Sequence, residues 1–210
     1  MKVDFYRHAL GTAEAEEVAR TLEGVFLTAG PRTQQFETWL ARRLNATGAV
    51  GLSSCTAALF LAQKALGIGP GDEVITTPMT FIATSNSILH TGATPVFVDC
   101  EPLTANIDLD QVEAAITPRT RAIMPVHIYG HPVDMQPILE LAEKHGLSII
   151  EDAAEAHGAE YKGKKAGSFG DMSCFSFYAN KIITTGEGGM VLTNSHGLAE
   201  RLRAQRNLCF

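Results

Sequence analysis

Strand-like and helix-like segments alternate along most of this sequence, and that order leaves few folds open. AVGLS (49–53) reads as a strand, and TAALFLAQKAL (56–66) reads as a helix stopped by Gly67. VITTP (74–78) is a second strand, TFIATSNSILHTG (80–92) a helix closed by Gly92, and TPVFVD (94–99) a third strand. Asp108 caps a helical LDQVEAAI that ends before Pro118, and RAIMPVHI (121–128) is a fourth strand. MQPILELAEKHG (135–146) is helical, LSIIED (147–152) is a fifth strand, and DMSCFSF (171–177) and GMVLTN (189–194) are two more. HGLAERLRAQR forms a final amphipathic helix. Short β-rich runs separated by helices imply βαβ units. The fold expected is therefore α/β: a three-layer sandwich around a mostly parallel, seven-stranded sheet.

Composition narrows the class of protein. The 210 residues are enough for one large domain with a real core. The formal charge is −6 and no block of Lys or Arg occurs, so neither nucleic acid nor an anionic membrane surface is favoured as a partner. The opening MKVDFYRHALGTAEAEE lacks the apolar stretch of a secretory signal, and no apolar run approaches the roughly 18 residues of a membrane span. Cys55, Cys100, Cys174 and Cys209 are scattered with no C-x-x-C pair, which fits a reduced, cytoplasmic compartment.

Parallel sheets bind ligands beyond the carboxyl ends of their strands, so those ends identify the candidate residues. Ser54-Cys55-Thr56 opens a helix after the first strand, where free N–H groups suit a phosphate. The same residues would serve equally as an ordinary N-cap. Phe81 follows the second strand and is either a stacking ring or a core residue. His127 and His131 follow the fourth. They are four apart, but on a strand and a glycine turn rather than a helix, so a metal pair is disfavoured, although one of them could face the pocket. Asp152 ends the fifth strand, where a carboxylate needs a cation or several donors; the competing reading is a second N-cap. Ser176 ends the sixth strand, and Lys181 lies just beyond it in SFYANKIITTGEGGMVLTN.

Lys181 is unusual because its flanks do not read as a solvated face. Lysine is seldom buried without a partner, and a lysine in a dry pocket loses its proton more readily and can form a Schiff base with a carbonyl. A lysine, an aspartate, a stacking aromatic and a phosphate cup on one rim together describe a pyridoxal phosphate site.

The motifs SSCTAALFLAQKALGIGPGDEVITTPMTFIATSNSILHTGATPVFVD, VHIYGHPVDM, IIEDAAEAHGAEYKGKKAGSFGD and FSFYANKIITTGEGGM occur in the order found in one family. FLTAGPRTQQFETWLARRL resembles that family's opening loop and helix. The chain resembles the DegT/DnrJ/EryC1/StrS sugar-nucleotide aminotransferases, which are fold type I pyridoxal phosphate enzymes. The resemblance implies that Lys181 is the Schiff-base lysine and Asp152 the partner of the pyridine nitrogen. It implies that Phe81 stacks on the ring and that Ser54, Cys55, Thr56 and Ser176 hold the phosphate, with Cys55 standing where glycine is usual. Glu155 takes a position often held by Gln near the ring oxygen, so either its carboxyl is protonated or its hydrogen bonding differs.

The resemblance further implies an N-terminal segment and loop over 1–30 and a cofactor-binding large domain over 31–210, with the family's small C-terminal domain absent. Keeping Lys181, where dehydratase relatives have histidine, favours transamination. The activity implied is transfer of an amino group from glutamate, leaving 2-oxoglutarate, to a keto sugar carried on a nucleotide. Perosamine-synthase-type members acting on a GDP-linked 4-keto-6-deoxy sugar are the nearest in motif. Assembly would be a homodimer with shared active sites, to which Leu27–Pro31 contributes. Two other readings stand beside this one: a truncated module that binds the cofactor without turnover, and a pyridoxal phosphate enzyme acting on other donors or acceptors.

Overall fold

The structure, a computed structural model, describes residues 2–207. Seven strands form one sheet: β1 (Gly48–Leu52), β2 (Glu73–Thr76), β3 (Thr94–Phe97), β4 (Thr120–Ile123), β5 (Ser148–Asp152), β8 (Met172–Ser176) and β9 (Gly189–Thr193). Their spatial order is β1-β9-β8-β5-β4-β2-β3. Neighbours from β8 through β5, β4 and β2 to β3 pair in parallel, and β9 runs antiparallel to both β1 and β8. A small hairpin of β6 (Glu160–Tyr161) and β7 (Lys164–Lys165) sits outside this sheet. The expected mostly parallel, seven-stranded α/β sheet is what the chain forms.

Period-two alternation feeds two faces. Val50, Ile150, Cys174 and Val191 point to one side. They pack with Ala58 and Leu59 of α3 (Cys55–Ala65), Ile88 of α4 (Ala83–Thr91) and Leu202 of α7 (His196–Arg206). Ala49, Phe175, Met190 and Leu192 point to the other side, against Leu40 and Leu44 of α2 (Pro31–Leu44). Ile75, Ile123 and Ile149 meet Met135 and Ile138 of α6 (Met135–His145) on that same side. The central strands β5, β8 and β9 are thus covered on both faces, which is why they read as largely apolar runs, while the edge strand β3 stays partly exposed.

Local chemistry sets the ends of the elements. Gly30 and Pro31 open α2, and Asn45 closes it with φ of 54°. Ser54 caps α3 by accepting the Ala57 N–H at 3.1 Å, and Ser195 caps α7 in the same way through Leu198 at 3.3 Å. Asp108 accepts the Asp110 N–H at 3.1 Å and starts α5 (Leu109–Val112), which tightens into a 3₁₀ turn over Glu113–Ala115.

Three local readings change. The fourth strand ends at Ile123 rather than 128, because Pro125 has no N–H to continue the ladder. The second helix starts at Ala83 rather than near Thr80, because the segment before it turns sharply through Pro78. The segment 1–30, read as a segment and loop, contains α1 (Thr12–Leu22), a helix with no buried residue.

Leu59 is 1% exposed beneath the sheet, whereas Leu103 is 93% exposed. Leu59→Ala is expected to cost about 2–5 kcal/mol in urea unfolding. Leu103→Ala should stay within about 0.5 kcal/mol.

Candidate active site

The sheet register assembles the site. Leu52 lies opposite Gly189, and Gly189 lies opposite Ser176, so β1, β9 and β8 meet the rim side by side. Asp152 pairs with Cys174, two residues behind Ser176. The chain after Leu52 turns at once into α3, which brings Ser54 and Cys55 over the start of β9. This approach is close: a Cβ on Gly189 would lie 2.3 Å from the Ser54 carbonyl carbon and 2.5 Å from the Cys55 nitrogen. Only glycine fits there, which accounts for the second glycine of the Gly188-Gly189 pair.

The segment between β8 and β9 folds back on itself. Phe177 donates its N–H to Gly188 at 2.9 Å and accepts from the Thr185 N–H and the Thr184 hydroxyl, each at 3.0 Å. The Lys181 N–H reaches the Tyr178 carbonyl at 2.9 Å. The two threonines therefore pin the return of the loop, and Lys181 projects from its near side with a side chain only 15% exposed. Its Nζ lies 3.0 Å from Glu155 Oε1, and Glu155 Oε2 accepts the Tyr129 N–H at 2.9 Å. Glu155 is thus an acceptor on both oxygens.

Asp152 is 4% exposed at the end of β5. Its Oδ2 accepts the Thr84 hydroxyl at 2.8 Å, and Oδ1 accepts the Ala154 N–H at 3.2 Å. No cation is in salt-bridge contact with it among the described residues. Burial pushes the carboxyl up from the ordinary aspartate range, and it outweighs the Thr84 and Ala154 hydrogen bonds and the charges of His127 and Lys181. Cys55 is a buried free thiol whose titration burial pushes well up, with Asp152, Cys174 and Lys181 near enough to act on it. The N–H groups of Cys55 and Thr56 open α3 and have no partner within the helix. Ser176 accepts the Tyr178 N–H on its Oγ at 3.3 Å, which leaves its hydroxyl proton free to donate.

The remaining candidates divide. Phe81 is 75% exposed, which rules out the core alternative and leaves its ring open on the rim. His127 does not face the pocket. Its Nδ1 accepts the Val133 N–H at 3.1 Å, so Nε2 carries the proton, 3.0 Å from Glu151 Oε2. Glu151 also accepts the N–H groups of Gly167, Phe169 and Gly170, each at 2.7 Å, so this buried pair is a closed hydrogen-bond network. His131 is exposed, and no cluster of metal-ligating side chains occurs among the described residues.

Thr84 and His157 belong to the rim and were not foreseen. The His157 ring sits 5.1 Å from that of Phe175 and 5.2 Å from that of Phe177, and its Nε2 donates to the Ser176 carbonyl at 2.7 Å. Burial pushes its titration down. A hydroxyl one turn into a helix after a candidate aromatic was the available signal for Thr84; for His157 the sequence offered none. An open groove of about 880 Å³, lined by Leu27, Thr28, Ser53, Gly188, Gly189 and Arg206 among others, adjoins the cup. No helix among the described residues is long and apolar enough to cross a membrane.

Fold and rim together define an α/β domain that brings a shielded lysine amine, a buried carboxylate and the first N–H groups of a helix to the carboxyl ends of its central strands. The DegT/DnrJ/EryC1/StrS aminotransferase family matches residues 8–210, and the chain belongs to that family. It is 54% identical over 194 residues to the spore coat polysaccharide biosynthesis protein SpsC of Bacillus subtilis, covering 92% of this chain and 50% of the relative. It is 56% identical over 172 residues to a GDP-perosamine synthase of Caulobacter vibrioides, covering 82% and 46%. The structure of S. venezuelae DesV in complex with a ketimine intermediate superposes with a TM-score of 0.91 at 47% identity, covering 94% of this chain and 54% of that one. The chain spans about half the length of the curated relatives it matches.

The Asp152 shift has a signed consequence. A carboxyl raised on folding binds more protons in the folded than in the unfolded chain between about pH 3.9 and its raised value, so stability falls as pH rises through that window. In the ligand-free protein, Asp152→Asn is expected to flatten that part of the profile and to be no less stable than the parent at neutral pH. Urea unfolding of both proteins at several pH values reads this out as their difference, because other carboxylates such as Glu73 and Glu113 are held low and add stability as pH rises; a parent-minus-variant difference that rises through the window would contradict it.

Proposed function

We propose that the protein is a pyridoxal-phosphate-dependent aminotransferase that moves an amino group from glutamate to a keto sugar carried on a nucleotide. Family membership supports the reaction class. The observation that carries the rest is the pairing, on one rim, of a shielded Lys181 amine with a buried Asp152 carboxylate that lacks a cation.

The residues present fit the cofactor. A protonated ring nitrogen at Asp152 would supply the missing positive charge and draw the carboxyl back toward its ionised form. The phosphate fits the N–H groups of Cys55 and Thr56 at the positive end of α3, with the Ser176 hydroxyl as a further donor. Cys55 in place of the usual glycine is acceptable in this role because its N–H, rather than its side chain, makes the contact. Phe81 has the exposure needed to cover a ring face. When bound, the cofactor supplies an aldehyde for covalent attachment and a ring that takes up electrons as the amino group changes carbon.

Lys181 would be the residue that holds the cofactor covalently, and its free amine would be the base that takes up and returns the substrate proton. Thr84 holds Asp152 in place through the 2.8 Å bond. The groove beside Leu27 and Thr28 lies where a substrate could extend from the rim. The acceptor we favour is a GDP-linked 4-keto-6-deoxymannose, in line with the name of the Caulobacter relative. The reading also includes an N-terminal segment and loop over 1–30, a cofactor-binding large domain over 31–210, a homodimer with shared active sites, and a role in making cell-surface polysaccharide in the cytoplasm.

The test uses the cofactor's own absorbance. Glutamate should convert the band of the loaded protein, and the keto-sugar nucleotide should restore it. Lys181→Ala is expected to slow the glutamate step by about a hundredfold or more. An unchanged rate in that variant, or conversion by other amino acids but not glutamate, would contradict the proposal.

A further inference from the structure

β1 is an edge strand of the sheet, and an edge strand has backbone groups with no ladder partner. At Gly51 two side chains take the place of a neighbouring strand. The Gly51 N–H donates to Glu37 Oε1 at 2.8 Å, and the Gly51 carbonyl accepts from Arg206 Nη1 at 3.2 Å. The same Nη1 also donates to the same Oε1, so the three contacts close a ring on one residue. Glu37 belongs to α2 and Arg206 to α7, helices that pack on opposite faces of the sheet, and the two side chains meet around its edge. They are only 11% and 17% exposed. A Cβ on Gly51 would come within 3.2 Å of the Thr33 methyl and 3.5 Å of Glu37 Oε1, so the bare backbone leaves the ring room to form.

We propose that Glu37 and Arg206 are positioning residues for the cofactor phosphate: their clamp on Gly51 fixes the end of β1 and, through it, the first turn of α3. The proposal rests on the reading of that turn as the phosphate site. Only Leu52 and Ser53 lie between Gly51 and Ser54, which caps α3 by accepting the Ala57 N–H. A connection this short passes any shift of Gly51 on to the N–H groups of Cys55 and Thr56. Gly189 lets β9 lie close beneath the turn but offers it no side chain to bond. The ring on Gly51 supplies the directional hold.

The two side chains act through the backbone and touch no ligand in this account. Arg206 spends its Nη1 on Glu37 and Gly51, and its Nε donates to Asn207 Oδ1 at 3.2 Å. Its charge is matched by Glu37 within the ring, so the pair adds geometry rather than a free cation. An anion at a helix start is held by several N–H groups that must converge on it, and hydrogen bonds weaken steeply as their angle opens. A displaced first turn therefore loses phosphate contacts while the chemistry at Lys181 is left in place. A pair that served stability alone would weaken every ligand of the rim alike.

Two measurements on the full chain compare the parent with Arg206→Met and with the double variant Glu37→Gln/Arg206→Met, which leaves no buried charge unmatched. The first is equilibrium binding of pyridoxal phosphate and of pyridoxal, which carry the same aldehyde and differ in the phosphate, each followed by absorbance. Both variants are expected to bind pyridoxal phosphate about three- to tenfold more weakly, the factor that corresponds to a lost hydrogen bond, and pyridoxal less than about twofold more weakly. The second is hydrogen exchange in the ligand-free proteins, expected to be faster over 52–57 and unchanged over β8. Equal weakening of the two ligands, no weakening of either, or unchanged exchange over 52–57 would overturn the clamp and leave the aminotransferase reading standing. No attachment of pyridoxal phosphate to Lys181 in the parent would overturn that reading, and the clamp would fall with it. Arg206→Lys keeps a charge opposite Glu37, which guards against a variant that fails to fold. It places its nitrogen one bond short of Nη1 and is expected to lie between parent and Arg206→Met; weakening of both ligands alike in it would also count against the clamp.

Discussion

A carboxylate buried at the end of the central strand organises this rim. Asp152 has two neutral donors, Thr84 and the Ala154 N–H, and no direct cation. Burying such a group is unfavourable, and here it raises the proton affinity of the carboxyl. The chain tolerates it because the surrounding hydrogen bonds are closed: β5 pairs on both sides, and the adjacent Glu151 is fully occupied by His127 and three backbone N–H groups. Successive carboxylates of one strand point to opposite faces and do opposite things. Glu151 is satisfied within the protein, and Asp152 is left short of a positive charge. In the proposed function a ligand ring supplies that charge.

The rest of the rim depends on how closely the backbone can approach that point. Gly189 lets β9 run under the first turn of α3, and any side chain there would collide with the Ser54 carbonyl. The Thr184 and Thr185 bonds to Phe177 return the loop tightly enough to place Lys181 beside Glu155 rather than in solvent. Core packing reaches the site through His157, wedged against Phe175 and Phe177 and bonded to the Ser176 carbonyl. Ligand chemistry and fold stability are therefore coupled in the same few residues.

Much of this was legible in the residue order. Alternating strand and helix patterns carry the sheet because the central strands lie between two helical layers, so their apolar runs are largely unbroken and easy to see. The positions of Ser54, Asp152, Ser176 and Lys181 at the rim followed from their places at strand ends. Pairwise detail was less visible. Nothing local marks Thr84 as the partner of Asp152, 68 residues away, or His157 as a wedge between two phenylalanines. The four-residue spacing of His127 and His131 left open whether either faced the pocket, and only the third dimension shows His127 turned inward to Glu151. The length of the fourth strand was overestimated because an apolar run conceals the missing donor of Pro125. The helix α1 was not foreseen because none of its residues is buried, and amphipathic pattern alone does not define a core.

The central claim is that this rim is built to attach a pyridoxal-type aldehyde at one particular nitrogen. The most direct measurement is borohydride reduction of the chain with pyridoxal phosphate present, followed by digestion and mass spectrometry of every lysine-containing peptide. The account predicts a phosphopyridoxyl mass on the peptide carrying Lys181 at substoichiometric cofactor, ahead of exposed lysines such as Lys64 and Lys144. Label spread over exposed lysines, with Lys181 unmodified, would contradict it.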